Sequence, residues 1–144
     1  MTNSQPPLDY ASRPVPANTK AFTWTGRIIS GLVVAFLLMD SMMKFMKPDF
    51  VVKATVELGF QEKHILPIGA ILMFCIIVYV IPRTAILGAI LLTGYLGGAV
   101  ATHLRHDDPL LSHVLFPVFF GILVWLGIFF RDPKLRQLVP WRRN

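Results

Sequence analysis

Asp40 and Lys44 carry opposite charges in a stretch of sequence that is otherwise apolar. They lie four positions apart with the acid nearer the N-terminus, so one turn of helix places them side by side in the order that favours an ion pair. Residues 28–39 before them are uncharged, and Phe45 and Met46 continue the same apolar face. The pair indicates either a ligand-binding or proton-accepting site, or a local ion pair that only shapes the end of a helix.

The expected depth of Asp40 in a membrane makes its charge informative. If a helix begins near Trp24 at the inner interface, Asp40 lies about 24 Å along the axis, inside a hydrocarbon layer of about 30 Å. A carboxylate at that depth costs on the order of 2.5–3.5 kcal/mol unless it is paired or hydrated. Lys44 can extend its ammonium group to the interface. We therefore expect Asp40 to have a polar partner.

The histidines all fall on the side of the membrane nearest this pair: His64, His103, His106 and His113. His103 ends the third predicted helix about 30 Å from Arg83, at a depth similar to that of Asp40. We expect a group of polar side chains to converge at the outer mouth of a helical bundle as a ligand-binding site: Asp40, Lys44, Tyr95, His103 and Arg105. His103 and His106 have metal-like spacing, but two histidines without cysteines or well-spaced acids are a weak signal. No metal is predicted.

Long apolar stretches must position these residues. Residues 65–82, 84–102 and 109–130 are nearly free of charge, and each is about as long as the roughly 20 residues that a membrane-crossing helix requires. With the segment around Asp40, they predict an all-α membrane protein, an antiparallel bundle of four transmembrane helices at about 24–46, 65–81, 85–102 and 113–130. Residues 50–60 have a short 3.6-residue periodicity, which predicts a small interfacial helix between the first two membrane helices.

The predicted domain organisation is simple. Residues 23–132 form the transmembrane domain. Residues 1–22, with four prolines among polar residues, predict a disordered cytoplasmic tail. Residues 133–144 predict a basic cytoplasmic tail.

Small residues recur on the third predicted helix at helical spacing: Ala89, Thr93, Gly94, Gly97, Gly98 and Ala101. Such a face lets another helix approach closely, which matters in lipid because the hydrophobic drive between helices is weak there. The main interpretation is helix packing, within the bundle or in a homo-oligomer. A second interpretation is that the glycines leave room for a flat ligand beside Tyr95.

The content and distribution of charged residues bear on nucleic-acid binding and on membrane orientation. The chain is 54% apolar and 15% charged, with a net charge of +6. Its basic residues form no patch with interleaved aromatics, which argues against nucleic-acid binding. The two tails and the 82–84 turn hold nine Lys and Arg residues, and the opposite loops hold five. The positive-inside rule therefore predicts cytoplasmic N- and C-termini.

Several sequence motifs resemble those of the DoxX-like family of small bacterial four-helix membrane proteins. They are the runs at 81–85, 94–99 and 102–105, the stretch from Asp40 to Lys44, and the turns at 108–109 and 131–133. The resemblance covers about residues 26–138. It implies a four-helix bundle in the cell inner membrane.

The resemblance also implies a redox setting, because the wider DoxX and DoxD group is linked to a thiosulfate:quinone oxidoreductase and to complexes that handle oxidative and thiol stress. Some relatives place an acid in the second helix, whereas Leu72, Met73 and Phe74 occupy that region here. Any mechanism that needs two buried carboxylates is weakened by this difference.

Three hypotheses for function follow. The first is an accessory subunit of a membrane redox system that binds a quinone or another flat lipophilic ligand near the outer face, alongside redox partner proteins. The second is a structural or interaction protein without ligand chemistry, and the third is a small transporter. Stand-alone catalysis is not predicted, because no cofactor-binding motif or reactive cysteine pair is visible and Cys75 is alone in an apolar run.

Overall fold

The computed structural model describes residues 20–133 and residue 135. From Lys20 to Arg131 the chain forms five α-helices and two short turns of other helical type, and the described residues contain no strand. The α-helices are α1 (Lys20–Met46), α2 (Asp49–Glu57), α3 (Ile65–Val80), α4 (Ala85–Arg105) and α5 (Leu115–Arg131). A 3₁₀ turn at Glu62–His64 leads into α3, and a π-helical turn at Leu110–Val114 leads into α5.

Four helical stretches in the described part of the chain are long and apolar enough to cross a membrane: Lys20–Met46, Glu62–Val80, Ala85–Arg105 and Leu110–Arg131. The short helix α2 lies between the first two of them. The predicted fold class, an all-α membrane protein with four spans and one short additional helix, is confirmed.

The four long helices pack in a ring. α1 contacts α3 and α5, and α4 contacts the same two helices. Because α1 and α4 each have α3 and α5 as main neighbours, they occupy opposite corners of the bundle. They therefore face each other across the centre of the bundle.

The centre of the bundle is filled by aliphatic side chains from all four helices: Val33, Leu37, Leu72, Ile76, Ala89, Leu92, Val124 and Ile128. Other large apolar residues point outward and stay exposed in the isolated chain, among them Phe74, Leu87 and Phe119. An apolar exterior is what a membrane requires, since lipid offers no hydrogen-bond partners.

Tyr79 forms a buried polar contact that joins three helices. Its hydroxyl donates to the Val124 carbonyl oxygen at 3.0 Å and lies 3.1 Å from Ser30 Oγ. Its backbone lies directly against Gly88 of α4, where an added Cβ would meet the Tyr79 main chain. Glycine at position 88 therefore allows α3 and α4 to form a close hairpin.

The helix ends differ from the predicted ones by a few residues. α1 begins at Lys20, so residues 20–22 of the predicted N-terminal tail are helical; the rest of that tail lies outside the described residues. Of the predicted C-terminal tail, only residues 133 and 135 are described, and both are helical. α4 continues to Arg105, past the predicted end near 102, because no helix-breaking residue occurs before Pro109.

Candidate functional site

A cavity of about 540 Å³ lies inside the end of the bundle that carries α2. Its walls come from α1, α3, α4 and α5, and residues Thr55, Leu58 and Phe60 of the α2 region contribute to its rim. It occupies part of the space between the opposite helices α1 and α4. Small residues on α4 explain why that space is not filled. Cβ atoms built at Gly94 and Gly98 would meet nothing within 4 Å, and both residues line the cavity.

Four of the five predicted ligand-binding residues line this cavity: Asp40, Lys44, Tyr95 and His103. Arg105 does not. Its guanidinium group lies 3.4 Å from where a Cβ of Gly59 would stand, beside the turn that ends α2. Arg105 therefore lies beside the end of α2 and does not line the cavity.

Asp40 and Lys44 form the ion pair that their spacing predicts. Lys44 Nζ donates to Asp40 Oδ1 at 2.5 Å, and the Lys44 side chain is 17% exposed. Each group neutralises the other in apolar surroundings, which reduces the cost of placing charge at this depth. The ammonium group has three N–H donors, so one ion pair leaves donors for a ligand.

His103 is hydrogen-bonded to Asp108, a contact that was not predicted from the sequence. His103 Nδ1 lies 2.6 Å from Asp108 Oδ2, and the two side chains are 21% and 25% exposed. This hydrogen bond, together with the nearby histidines, lowers the pKa of the Asp108 carboxyl. Asp108 is therefore an ionised acceptor at neutral pH.

The end of α4 explains how Asp108 reaches His103. The Asp107 N–H donates to the Leu104 carbonyl, and the Asp108 N–H donates to the His103 carbonyl. Asp107 has the left-handed φ of 55° that such a helix end requires. The resulting turn places the second residue after the helix cap over the last helical turn. This turn is hard to predict from the sequence, because Asp107 occupies the left-handed position that glycine usually marks.

Phenylalanines form one wall of the cavity. The ring centroid of Phe36 lies 4.4 Å from that of Phe120, and Phe116 lies 5.0 Å from Phe120. All three residues line the cavity. They were not among the predicted ligand-binding residues, although the four-residue spacing of Phe116 and Phe120 indicates a shared helix face.

The predicted small-residue face of α4 is divided among several surroundings. Ala89 is buried in the core, Gly94 and Gly98 line the cavity, and Ala101 is exposed. Gly97 lines a second, almost entirely apolar groove of about 560 Å³ between α4 and α5.

Thr93 also lines that groove. Its Oγ1 donates to the Ala89 carbonyl at 2.8 Å and accepts from Trp125 Nε1 at 2.9 Å. Within a single chain, the close contact of α4 with α3 is made at Gly88, which precedes all three predicted glycines on that helix.

No group of three or more His, Cys, Asp or Glu side chains in the described residues is arranged to hold a metal ion. His103 and His113 are neighbours, with ring centroids 5.7 Å apart, but His103 Nδ1 is bonded to Asp108 and His113 Nδ1 to Ser112. The site therefore combines an ion pair and a hydrogen-bonded histidine with an aromatic wall.

Comparison with known proteins gives one result. A sequence model of the DoxX-like family matches residues 28–127, which is well over half of the chain. No curated protein and no solved structure matches this chain. The match includes the cavity-lining residues of α1, α3, α4 and α5, and it ends before the last turn of α5.

Proposed function

This chain belongs to the DoxX-like family, and from that premise we propose that it binds a quinone or another flat lipophilic ligand as an accessory subunit of a membrane redox system. Its binding site would be the cavity lined by Asp40, Lys44, Tyr95 and His103. The observation that carries the proposal is the joining, in one cavity, of an ion pair and a histidine with an aromatic wall.

The size and lining of the cavity fit such a ligand. Small-molecule sites usually measure about 300–1,000 Å³ and combine apolar walls with a few oriented polar groups. Phe36, Phe116 and Phe120 offer ring faces for an aromatic head group, since offset and edge-on ring contacts are favourable. The space beside Gly94 and Gly98 would accommodate the flat ring.

The polar groups would orient the ligand and exchange protons with it. Lys44 can donate to a ligand oxygen while it remains paired with Asp40. Asp40 is the group suited to accept a proton, and His103 supplies a second hydrogen-bonding position. A bound quinone would supply electron transfer, for which redox partner proteins are required.

Placement in the cell inner membrane, with both termini in the cytoplasm, is part of the same proposal. It is supported by the excess of Lys and Arg in the tails and in the 82–84 turn. The cavity would then face the outer side of the membrane.

The test is quinone-analogue binding by the purified protein in lipid nanodiscs. Asp40→Asn and His103→Ala should each weaken binding by about tenfold, the size of a lost hydrogen bond to a charged or polarised group. Asp49→Asn and His106→Ala are matched controls, because both residues are exposed and lie outside the cavity. Unchanged affinity in both cavity variants would refute the proposal.

A structural or interaction role is the second candidate, and Gly97 favours it. This residue is exposed, and a Cβ there would meet nothing within 4 Å in the single chain. An exposed glycine in a membrane helix can admit a second helix. If assembly is the function, Gly97→Leu combined with Gly98→Leu should disrupt a homo-oligomer or partner complex, while Asp40→Asn leaves it intact.

A further inference from the structure

Asp108 stands outside the cavity wall, yet it bonds directly to a residue that lines the cavity. His103 has two ring nitrogens, and Asp108 Oδ2 lies 2.6 Å from one of them, Nδ1. In the described residues, Nε2 has no hydrogen-bond partner, so it is the nitrogen left for a ligand. Nε2 donates a hydrogen bond to a ligand if it carries a proton, and accepts one if it carries a lone pair.

The protonation state of Asp108 decides this. The His103 hydrogen bond lowers the pKa of the Asp108 carboxyl, and an ionised carboxylate can only accept hydrogen bonds. Nδ1 of His103 must therefore carry the proton that it donates to Asp108. In a neutral imidazole the other nitrogen is then an acceptor, so Nε2 presents its lone pair.

Other charged groups face the same space. Lys44 and Asp40 of α1 line the cavity with His103, and the His113 ring lies 5.7 Å from the His103 ring. Lys44 is a donor, so a ligand oxygen near it must accept. The cavity therefore presents two donors, the Lys44 ammonium group and the Tyr95 hydroxyl, and two acceptors, His103 Nε2 and the carboxylate of Asp40.

We propose that Asp108 is a positioning residue that makes His103 a hydrogen-bond acceptor, so that the site prefers a hydroxyl-bearing ligand, a hydroquinone or lipophilic phenol, over the corresponding quinone. A hydroquinone oxygen can accept from Lys44 and donate to Nε2. A quinone carbonyl can only accept and leaves Nε2 unsatisfied. This inference rests on the proposed function, since it concerns the same cavity, and it involves binding only, with no transfer of electrons.

The binding test compares a short-chain hydroquinone with its quinone under anaerobic conditions. Measurements are made at about pH 8.5, above the range in which imidazole side chains usually change charge. The unaltered protein should bind the hydroquinone at least about fivefold more tightly, the size of one hydrogen bond. Asp108→Asn should bring that ratio close to one, because an amide can donate or accept and no longer fixes the proton on Nδ1.

Asp107→Asn is the matched control. It removes the same charge from the neighbouring residue, and asparagine tolerates the left-handed backbone at that position. The hydroquinone-to-quinone ratio should stay unchanged in this variant. A ratio that falls equally in both variants would overturn the proposal, since loop charge alone would then explain the preference.

The proton position can also be read directly by ¹⁵N nuclear magnetic resonance of histidine-labelled protein. The His103 signals are identified by their loss in His103→Gln. We expect Nδ1 to carry the proton in the unaltered protein, and a proton on Nε2 alone would overturn the proposal even if Asp108→Asn fails to fold.

The binding results separate this inference from the proposed function. Equal affinity for hydroquinone and quinone would overturn the inference and leave quinone binding standing. Absence of binding by either form would refute the proposed function itself.

Discussion

Tyr79 is the residue at which the four long helices meet. It belongs to α3, its hydroxyl bonds to α1 and α5, and its backbone touches Gly88 of α4. Arg131 reinforces the contact, because its guanidinium group donates to the Tyr79 carbonyl at 3.3 Å and lies 5.0 Å from the ring centroid. The buried Tyr79 hydroxyl therefore links α1, α3 and α5 at one point.

We predict that Tyr79→Phe lowers the free energy of unfolding by about 1 kcal/mol. The ring remains, but the Ser30 hydroxyl loses its buried partner. Denaturant titration in detergent micelles measures the change. Tyr95→Phe is the control, because Tyr95 lines the cavity and its hydroxyl makes no hydrogen bond within the described residues. Equal destabilisation by both changes would contradict the prediction.

The helices themselves were predictable, but their rotation was not. Uncharged length reveals a membrane helix because the bilayer sets a minimum length. In a membrane, however, core residues such as Leu72 and lipid-facing residues such as Phe74 are equally apolar. The pattern of hydropathy therefore does not reveal which face of α3, α4 or α5 points inward.

The same limit explains what was found and missed at the site. Asp40, Lys44 and His103 are polar, so depth along the helices was enough to place them at one end of the bundle. Phe116 and Phe120 are apolar, and only packing shows that they face the cavity. Asp108 depends on a left-handed turn at Asp107, which an aspartate does not announce as a glycine would.

Two glycines on α4 give a sharp test at the level of helix packing. Gly88→Ala should destabilise the protein by about 1–3 kcal/mol, because the added methyl group would meet the Tyr79 backbone. Gly98→Ala, on the same helix but facing open space, should be neutral or slightly stabilising, since alanine favours helix more than glycine does. The free energy of unfolding of each variant is measured by denaturant titration. Greater destabilisation by Gly98→Ala than by Gly88→Ala would contradict the close packing of α3 against α4 at Gly88.

At the scale of the whole molecule, the ring of four helices links the cavity to one side of the membrane. α1 and α4 end, and α3 begins, at the same end of the bundle, together with α2. That end holds Asp40, Lys44 and His103, whereas the turn between α3 and α4 lies at the other end. Locating any one loop on one side of the membrane therefore also determines the side on which the cavity lies.

We predict that the loop before α3 faces outward and the turn between α3 and α4 faces the cytoplasm, because Lys and Arg favour the side that holds the tails and Arg83. Cys75 is buried and is the only cysteine, so single-cysteine variants are easily built on a Cys75→Ser background. In intact cells, a membrane-impermeant maleimide should label Lys63→Cys and leave Arg83→Cys unlabelled until the membrane is permeabilised. Both positions are exposed, which makes them a matched pair. Labelling of Arg83→Cys but not of Lys63→Cys in intact cells would contradict the prediction. It would show the opposite orientation, in which the cavity opens towards the cytoplasm.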